Sequence, residues 1–289
     1  MRLSTALRLG RVSNLPTTWS NVIAGLVLSG AGAPSLGLCL GLGVAISLLY
    51  VGGMYLNDAF DREYDARERP ERPIPAAEVR ASTVFAAGFA MLGLGVAVVG
   101  ARAFGSAGGQ GAPPVLAALA LAAVIVFYDA YHKQNPLSPV VMAFNRALVY
   151  LTAALSARVG LNGALAFGCV AMLSYLIGLT YAAKQENLRE PRGFWPLIVM
   201  AVPFANGAAF VRPASVVLYA LFALWLGYSL SFLLVPRKRN IKRAVGYMIA
   251  GISCLDAVLV AAQGENTAAA LCVASFVATL FFQRFVPGT

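Results

Sequence analysis

The grouping of apolar residues limits this chain more than any other feature. Runs of about 20 apolar residues, the length that crosses a bilayer, recur along all 289 residues and are separated by short polar joints. Charged residues make up 12 % of the chain and hydrophobic ones 59 %, whereas a soluble domain carries about a quarter charged. Ten spans follow, at 15–33, 35–57, 80–101, 113–131, 137–157, 162–184, 193–212, 215–235, 245–262 and 267–285. They predict an all-α fold, a polytopic membrane helical bundle in one domain over 1–289. The Gly-rich residues 102–112 predict a loop. Met1 to Asn14 has neither the short apolar core nor the small-residue cleavage site of a signal peptide, so the first run predicts a retained helix.

Lysines and arginines test that topology. With the N-terminus inside, 18 of the 22 fall in inside segments, Arg102, Arg158 and Arg212 fall outside, and Arg146 lies within a span. Such a bias places the basic loops in the cytoplasm. It accounts for the net charge of +10 without a nucleic-acid partner. Ten of the 12 acids lie in or beside the same segments, all but Asp256 and Glu265. Polar chemistry is therefore expected at one face of the membrane. Cys39, Cys169, Cys254 and Cys272 fall inside apolar runs, far apart, with neither metal nor disulfide spacing.

The acids are also concentrated. Seven of them lie between Asp58 and Glu78, directly after an apolar run. At 3.6 residues per helical turn, Asn57, Asp61 and Asp65 lie about 40° apart in succession and Asp58 about 100° from Asn57, so all four share one quarter of the surface. Like charges at such spacing repel, and a bound cation would remove that cost. Oxygen-only ligands suit Mg²⁺, which completes its shell with water and substrate phosphate. The plainer reading is a solvated helix end paired with its own arginines. Arg67, Arg69 and Arg72 follow, stiffened by Pro70, Pro73 and Pro75; guanidinium forks bind phosphate, or these are positive-inside anchors. Lys133, closing Tyr128-Asp129-Ala130-Tyr131-His132-Lys133, could reach phosphate, while the lone His132 is given no role. Glu186 and Glu190, four apart at the end of the sixth span, could hold a second metal or pair with Lys184, Arg189 and Arg192. Inside the spans, Asn21, Asn145, Arg146 and Asp256 are polar groups that face either a cavity or one another.

On these residues the chain resembles the UbiA superfamily of intramembrane prenyltransferases. The resemblance rests on Asn57-Asp58-x-x-Asp61-x-x-x-Asp65 followed by Arg72-Pro73-Ile74-Pro75, on the opening Arg11-Val12-Ser13-Asn14-Leu15-Pro16, and on Tyr128 with Lys133 five residues later. The order of motifs covers about residues 8 to 190. It implies a bundle of nine transmembrane helices, here with a possible tenth, and a Mg²⁺-bound prenyl diphosphate at the cytoplasmic end. Carried over by position, Asn57, Asp61 and Asp65 bind Mg²⁺ with Asp58 in support, and Lys133 and Arg72 bind the diphosphate. Arg67, Arg146 and Tyr128 are further candidates for the diphosphate, and Asn21, Asn145 and Asp256 for the acceptor or cavity. The chain departs from the family at the second motif, Asp-x-x-x-Asp in the family. Here that helix end offers Glu186 and Glu190, or Gln185 and Arg189 in a register shifted by one.

The expected reaction is Mg²⁺-dependent transfer of a prenyl group from its diphosphate to an aromatic or hydroxyl-bearing lipophilic acceptor within the membrane. Asp61, Asp65 and Lys133 are its expected catalytic residues, and membrane lipid surrounds it. The rival from another class is a non-catalytic or transport-related lipid-binding protein on the same scaffold.

Overall fold

The computed structural model describes every residue except 33, 106–108, 134, 158–159, 186–192, 194, 207–211 and 289. Among the described residues all regular structure is helical. The α-helices are α1 (Leu3–Leu9), α2 (Leu15–Leu28), α3 (Leu36–Phe60), α4 (Arg62–Glu68), α5 (Ala81–Gly105), α6 (Ala112–Tyr131), α7 (Ser138–Ser156), α8 (Gly163–Lys184), α9 (Pro213–Leu234), α10 (Ile241–Ala262) and α11 (Asn266–Phe282). Seven of them, α3 and α5 to α10, are long and apolar enough to cross a membrane. This is an integral, multi-pass architecture.

Local sequence explains where the helices begin. Ser35, Asn162 and Asn240 cap α3, α8 and α10, their side chains accepting from the backbone N–H groups of Leu38, Leu165 and Arg243, donors that the helix leaves unpaired. Proline stands in the first turn of α2, α6, α7 and α9, where its missing N–H costs nothing.

The expected span at 193–212 takes a different form. Trp195–Ala205 is a 3₁₀ helix of 11 residues, with Pro203 inside it. At about 2.0 Å per residue it still advances about 22 Å. Its two ends are tied to different helices. Tyr181 near the end of α8 donates to the carbonyl of Gly193 at 2.8 Å, and Tyr219 near the start of α9 donates to that of Pro203 at 2.7 Å. The first and last spans are also shorter than expected, α2 at 14 residues and α11 at 17.

Packing organises the bundle around α2 and α10. Ala24, Val27 and Leu28 of α2 join α7 to α11 in one apolar core, while Val22 and Leu26 join α3, α5, α6 and α7 in another. Gly25 lets α2 approach α7 closely, since a Cβ there would lie 2.6 Å from the Tyr150 carbonyl oxygen. Small residues allow such contacts where lipid gives no hydrophobic drive between helices. Apolar side chains such as Leu40, Leu94, Leu119, Leu221 and Leu271 remain exposed on the outside, as a lipid-facing surface requires.

Several contacts gather one end of the bundle. Lys133 after α6 reaches Asp61 after α3. Lys184 at the end of α8 donates to the Asn135 carbonyl at 3.1 Å. Gln283 after α11 donates to Asn14 and to the Gly246 carbonyl at 3.1 and 3.2 Å. Through Gln283 the C-terminal segment therefore joins α10 to the N-terminal segment at this end.

Candidate functional site

The acidic stretch at that end keeps its helical phase through a joint in the chain. Although α3 stops at Phe60 and α4 begins at Arg62, the backbone N–H of Asp61 donates to Asn57, that of Asp65 to Asp61 and that of Arg69 to Asp65, at 2.9, 2.8 and 2.8 Å. These i to i−4 bonds keep Asn57, Asp61 and Asp65 on one face. That face is turned inward: Asn57, Asp58, Asp61 and Asp65 are all buried, Asp65 with 1 % of its surface exposed.

Buried carboxylates need partners, and three basic side chains supply them. Asp58 accepts from Arg11 at 3.0 Å and from Arg72 at 2.8 Å. Arg72 also reaches Asp65 at 3.1 Å. Lys133 reaches Asp61 at 2.9 Å while its ammonium lies 3.8 Å from the centroid of the Tyr64 ring. The proline-rich turn explains how Arg72 comes back onto acids 7 and 14 residues earlier. Backbone bonds from Arg72 to Arg69, Ala76 to Arg72 and Glu78 to Pro73 wind residues 69–78 tightly. The turn is held in place by Glu78, which accepts from Thr5 and Arg8 of α1. Those bonds lower the carboxyl of Glu78 below its ordinary range.

Three members of the site carry no role from sequence alone. Arg11, expected only as a basic anchor and as part of a motif, donates to Asn57 at 3.2 Å as well as to Asp58. Asp129, near the end of α6, accepts from the Asn57 amide at 3.1 Å. His132 stacks on Tyr128 with ring centroids 4.8 Å apart and lies 3.6 Å from Asp61. The one available signal is position: Asp129 and His132 lie inside the Tyr128 to Lys133 motif. Burial holds the His132 imidazole below its ordinary pKa, outweighing the upward pull of Asp61. Burial also raises Asp65, helped by the like charges of Asp61 and Asp58 and opposed by Arg72.

Other expected site residues fall elsewhere. Arg67 is exposed and takes no part in these ion pairs. Arg146 lies in a separate network deeper in the bundle, where it donates to Asn21 at 2.7 Å and Thr17 at 3.0 Å. The Asn21 amide passes the connection on to Asp256 at 2.8 Å. Asp256 accepts further bonds from Ser20 and Tyr150. Asn21, Arg146 and Asp256 thus come together, as a closed internal pairing. Asn145 stands apart from it, with its amide near the Met142 sulfur at 3.9 Å and its buried oxygen unbonded. Glu186 and Glu190 lie outside the described residues. Gln185, next to them, is buried with an unbonded side-chain oxygen.

The donors at the acidic site are oxygens, which is the chemistry of a hard divalent cation. Two of them, Asp65 Oδ1 and Asp129 Oδ2, are buried without any hydrogen-bond partner. Among the described residues no three His, Cys, Asp or Glu side chains are gathered closely enough to hold a metal ion. Asp58, Asp61 and Asp65 lean instead on Arg11, Arg72 and Lys133. The donor set fits such a cation in kind, and the ion pairs set how the carboxylates are now spread. Positive groups beside the same oxygens suit an anion such as phosphate.

Comparison with known proteins agrees with this architecture. The model of the UbiA prenyltransferase family matches residues 18–235. A digeranylgeranylglyceryl phosphate synthase of Methanopyrus kandleri is 38 % identical over 95 residues, 32 % of this chain and 34 % of that protein. One from Methanothrix thermoacetophila is 37 % identical over 75 residues, 26 % of this chain and 28 % of that protein. The matched stretch thus spans about a third of the length of these relatives. Among solved structures, that of a UbiA homolog from Archaeoglobus fulgidus bound to GPP and Mg²⁺ superposes with a TM-score of 0.52 at 16 % identity, covering 96 % of this chain and 99 % of that one. At that identity the likeness is one of fold.

Proposed function

Because this chain belongs to the UbiA prenyltransferase family, we propose that it transfers a prenyl group from a prenyl diphosphate to a lipophilic acceptor within the membrane, with Mg²⁺ as cofactor. One observation carries the reading. Buried carboxylates and three basic side chains are interleaved within hydrogen-bonding distance at one end of an apolar bundle. Such a pattern can take up a metal diphosphate, whose cation needs the first set and whose phosphates need the second. The Archaeoglobus homolog bound to GPP and Mg²⁺ supports it.

Bound Mg²⁺ would neutralise charge developing on the departing diphosphate. The residues that would hold it are Asn57, Asp61 and Asp65, with Asp58 steering both arginines. Glu186 and Glu190 remain the candidates for a second ion. Arg72 and Lys133 orient and neutralise the phosphates, since each sits beside the carboxylates as a charge-assisted donor. Tyr128, stacked on His132, closes the side formed by α6. The apolar helices keep water from the allylic cation left when the C–O bond breaks. The acceptor then bonds to that carbon, and the proton it loses passes to the departing diphosphate, which leaves as pyrophosphate. The names of the curated relatives, which make a glyceryl phosphate product, favour a hydroxyl-bearing acceptor over an aromatic one.

The domain comprises residues 1–289 as one unit, because α10 and α11 beyond the family match bond to α2 and its approach through Asp256 and Gln283. Nine α-helices, α2, α3 and α5 to α11, cross the membrane, and the 3₁₀ segment makes the tenth pass. This count returns both termini to the site end. That end faces the cytoplasm, in keeping with 18 basic residues there against three at the other.

The test is pyrophosphate release from prenyl diphosphates of graded length, by purified protein in lipid with and without Mg²⁺. Release should need Mg²⁺ and fall at least about a hundredfold in Asp61→Ala and Asp65→Ala, the scale of losing transition-state charge stabilisation. Equal release by both variants and the parent would overturn the assignment.

A further inference from the structure

The proposed cation site uses Asn57, and an asparagine can serve a cation through only one of its two terminal atoms. Oδ1 is an acceptor; Nδ2 carries two protons and repels a cation. The two atoms are nearly equal in size, so packing alone does not choose which one faces the site. Hydrogen-bond partners choose. In this structure Nδ2 donates to Asp129 Oδ1 at 3.1 Å, and Oδ1 accepts from the Arg11 guanidinium at 3.2 Å. The oxygen therefore points to the place where positive charge already sits, and the nitrogen points to α6.

Asp129 is suited to that task and is otherwise unexplained. Its exposure is 4 %. It forms no ion pair within 4.0 Å among the described residues, whereas Asp58, Asp61 and Asp65 all do. Among the described residues its one side-chain bond is to Asn57, and Oδ2 has none. A buried carboxylate with so little compensation is costly. An oxygen acceptor at that position takes the amide nitrogen and leaves the amide oxygen facing the site.

We propose that Asp129 is a positioning residue, which holds the Asn57 carboxamide with its oxygen toward the site and so sets the affinity for the cation. This rests on the Mg²⁺-dependent reading above. Outer partners that orient a ligand are typically worth about 10- to 100-fold in metal affinity.

The probe is Mn²⁺, followed by its electron paramagnetic resonance signal on the purified full-length protein, without substrate. Asp129→Leu should weaken binding at least about tenfold. Asp129→Asn, whose carbonyl can still accept from Asn57, should stay within about threefold of the parent on the same scale. In an Asn57→Asp background both oxygens are equivalent, so adding Asp129→Leu should produce no tenfold loss. If the parent binds Mn²⁺ and Asp129→Leu binds it equally, the positioning role is wrong while the cation site stands. If Asp129→Asn loses as much as Asp129→Leu, Asp129 acts by its charge and the proposal fails. A parent that binds no Mn²⁺ overturns the cation reading and this inference with it. Should Asp129→Leu not fold, Asp129→Ala replaces it in both arms with the same expected losses.

Discussion

Asp58 is where the site should prove most fragile. Its carboxylate lies 3.0 Å from one guanidinium and 2.8 Å from another, with its side chain 8 % exposed and those of Arg11 and Arg72 18 % and 15 % exposed. At an effective dielectric of about 20, unit charges that close attract by about 5 to 6 kcal/mol per pair. Most of that offsets the desolvation of three ions in the intact protein. In Asp58→Ala the gain vanishes and the desolvation remains. Arg72 keeps Asp65, but Arg11 keeps only neutral partners, the Asn57 oxygen and the Met54 sulfur. Breaking a buried pair costs about 3 to 5 kcal/mol, and the residual exposure of the arginines puts this case near the lower bound, at about 3 kcal/mol. For a domain of this size that corresponds to a fall in Tm of about 6 to 12 °C. The assay is thermal unfolding of purified protein in detergent, with a double-mutant cycle on Arg11→Met. If Arg11 is stranded by loss of Asp58, Asp58→Ala should cost at least about 1 kcal/mol less in the Arg11→Met background. Strict additivity, or a Tm of Asp58→Ala within 2 °C of the parent (about 1 kcal/mol or less), would refute the reasoning.

Three further outcomes follow from the same contacts. Arg67→Ala should leave the rate of pyrophosphate release within about twofold, whereas Arg72→Ala should reduce it by at least about tenfold, because only Arg72 is bonded into the acids; steady-state kinetics on both variants checks this. Asp256→Ala should cost about 3 to 5 kcal/mol by stranding Arg146, Asn21 and Tyr150, against about 1 kcal/mol for Tyr150→Phe, which removes one hydrogen bond; unfolding in detergent separates them. The latch from Glu78 to Thr5 and Arg8 depends on an ionised carboxylate whose folded pKa is below its ordinary value of 4.5. Its contribution is therefore complete above pH 4.5 and is lost as pH falls through the lowered value. Limited proteolysis should find α1 accessible in acid and protected at neutral pH, and Glu78→Gln should expose it at every pH.

Most of the helical layout could be read from apolar run length alone. The spans at 35–57, 113–131, 137–157 and 162–184 lie within three residues of α3, α6, α7 and α8 at each end. Run length does not report how a run is wound, so 195–205 appeared as an ordinary span although it is a 3₁₀ helix carrying Pro203. Helical phase was enough to put Asn57, Asp58, Asp61 and Asp65 on one face, because the i to i−4 bonds continue through Asp61. Partners were harder. Arg11 and Asp129 lie 46 and 72 residues from Asn57 in sequence, and only the packing of α6 and of the segment before α2 against α3 brings them to it. Arg146 and Asp256 were noticed as costly intramembrane charges, but the amide of Asn21 that joins them is a tertiary fact.

The two buried charge clusters differ in a way that separates holding the fold from doing chemistry. In the deeper one the polar valences are used. Asp256 accepts on both oxygens, from Tyr150 on one and from Ser20 and Asn21 on the other, and Arg146 donates to Asn21 and Thr17 of α2. A fully bonded network rigidifies a bundle and has little left to offer a ligand. At the bundle end the accounting stays open. The carboxyl groups of Asp58, Asp61, Asp65 and Asp129 crowd together beside only three fixed cations, Arg11, Arg72 and Lys133, and two of the carboxyl oxygens have no hydrogen-bond partner among the described residues. Burial makes each of those unpaired oxygens expensive, so whatever binds there recovers that cost as affinity. A lone phosphate would meet the crowded carboxyl oxygens with nothing to bridge to them. A metal ion alone would engage those oxygens but compete with three fixed cations. The combination of a divalent cation with an attached diphosphate satisfies both sets at once. That requirement, more than the number of acids, is why we propose the end at Asp61 as the place for prenyl transfer, with Arg146 and Asp256 holding α2, α7 and α10 together.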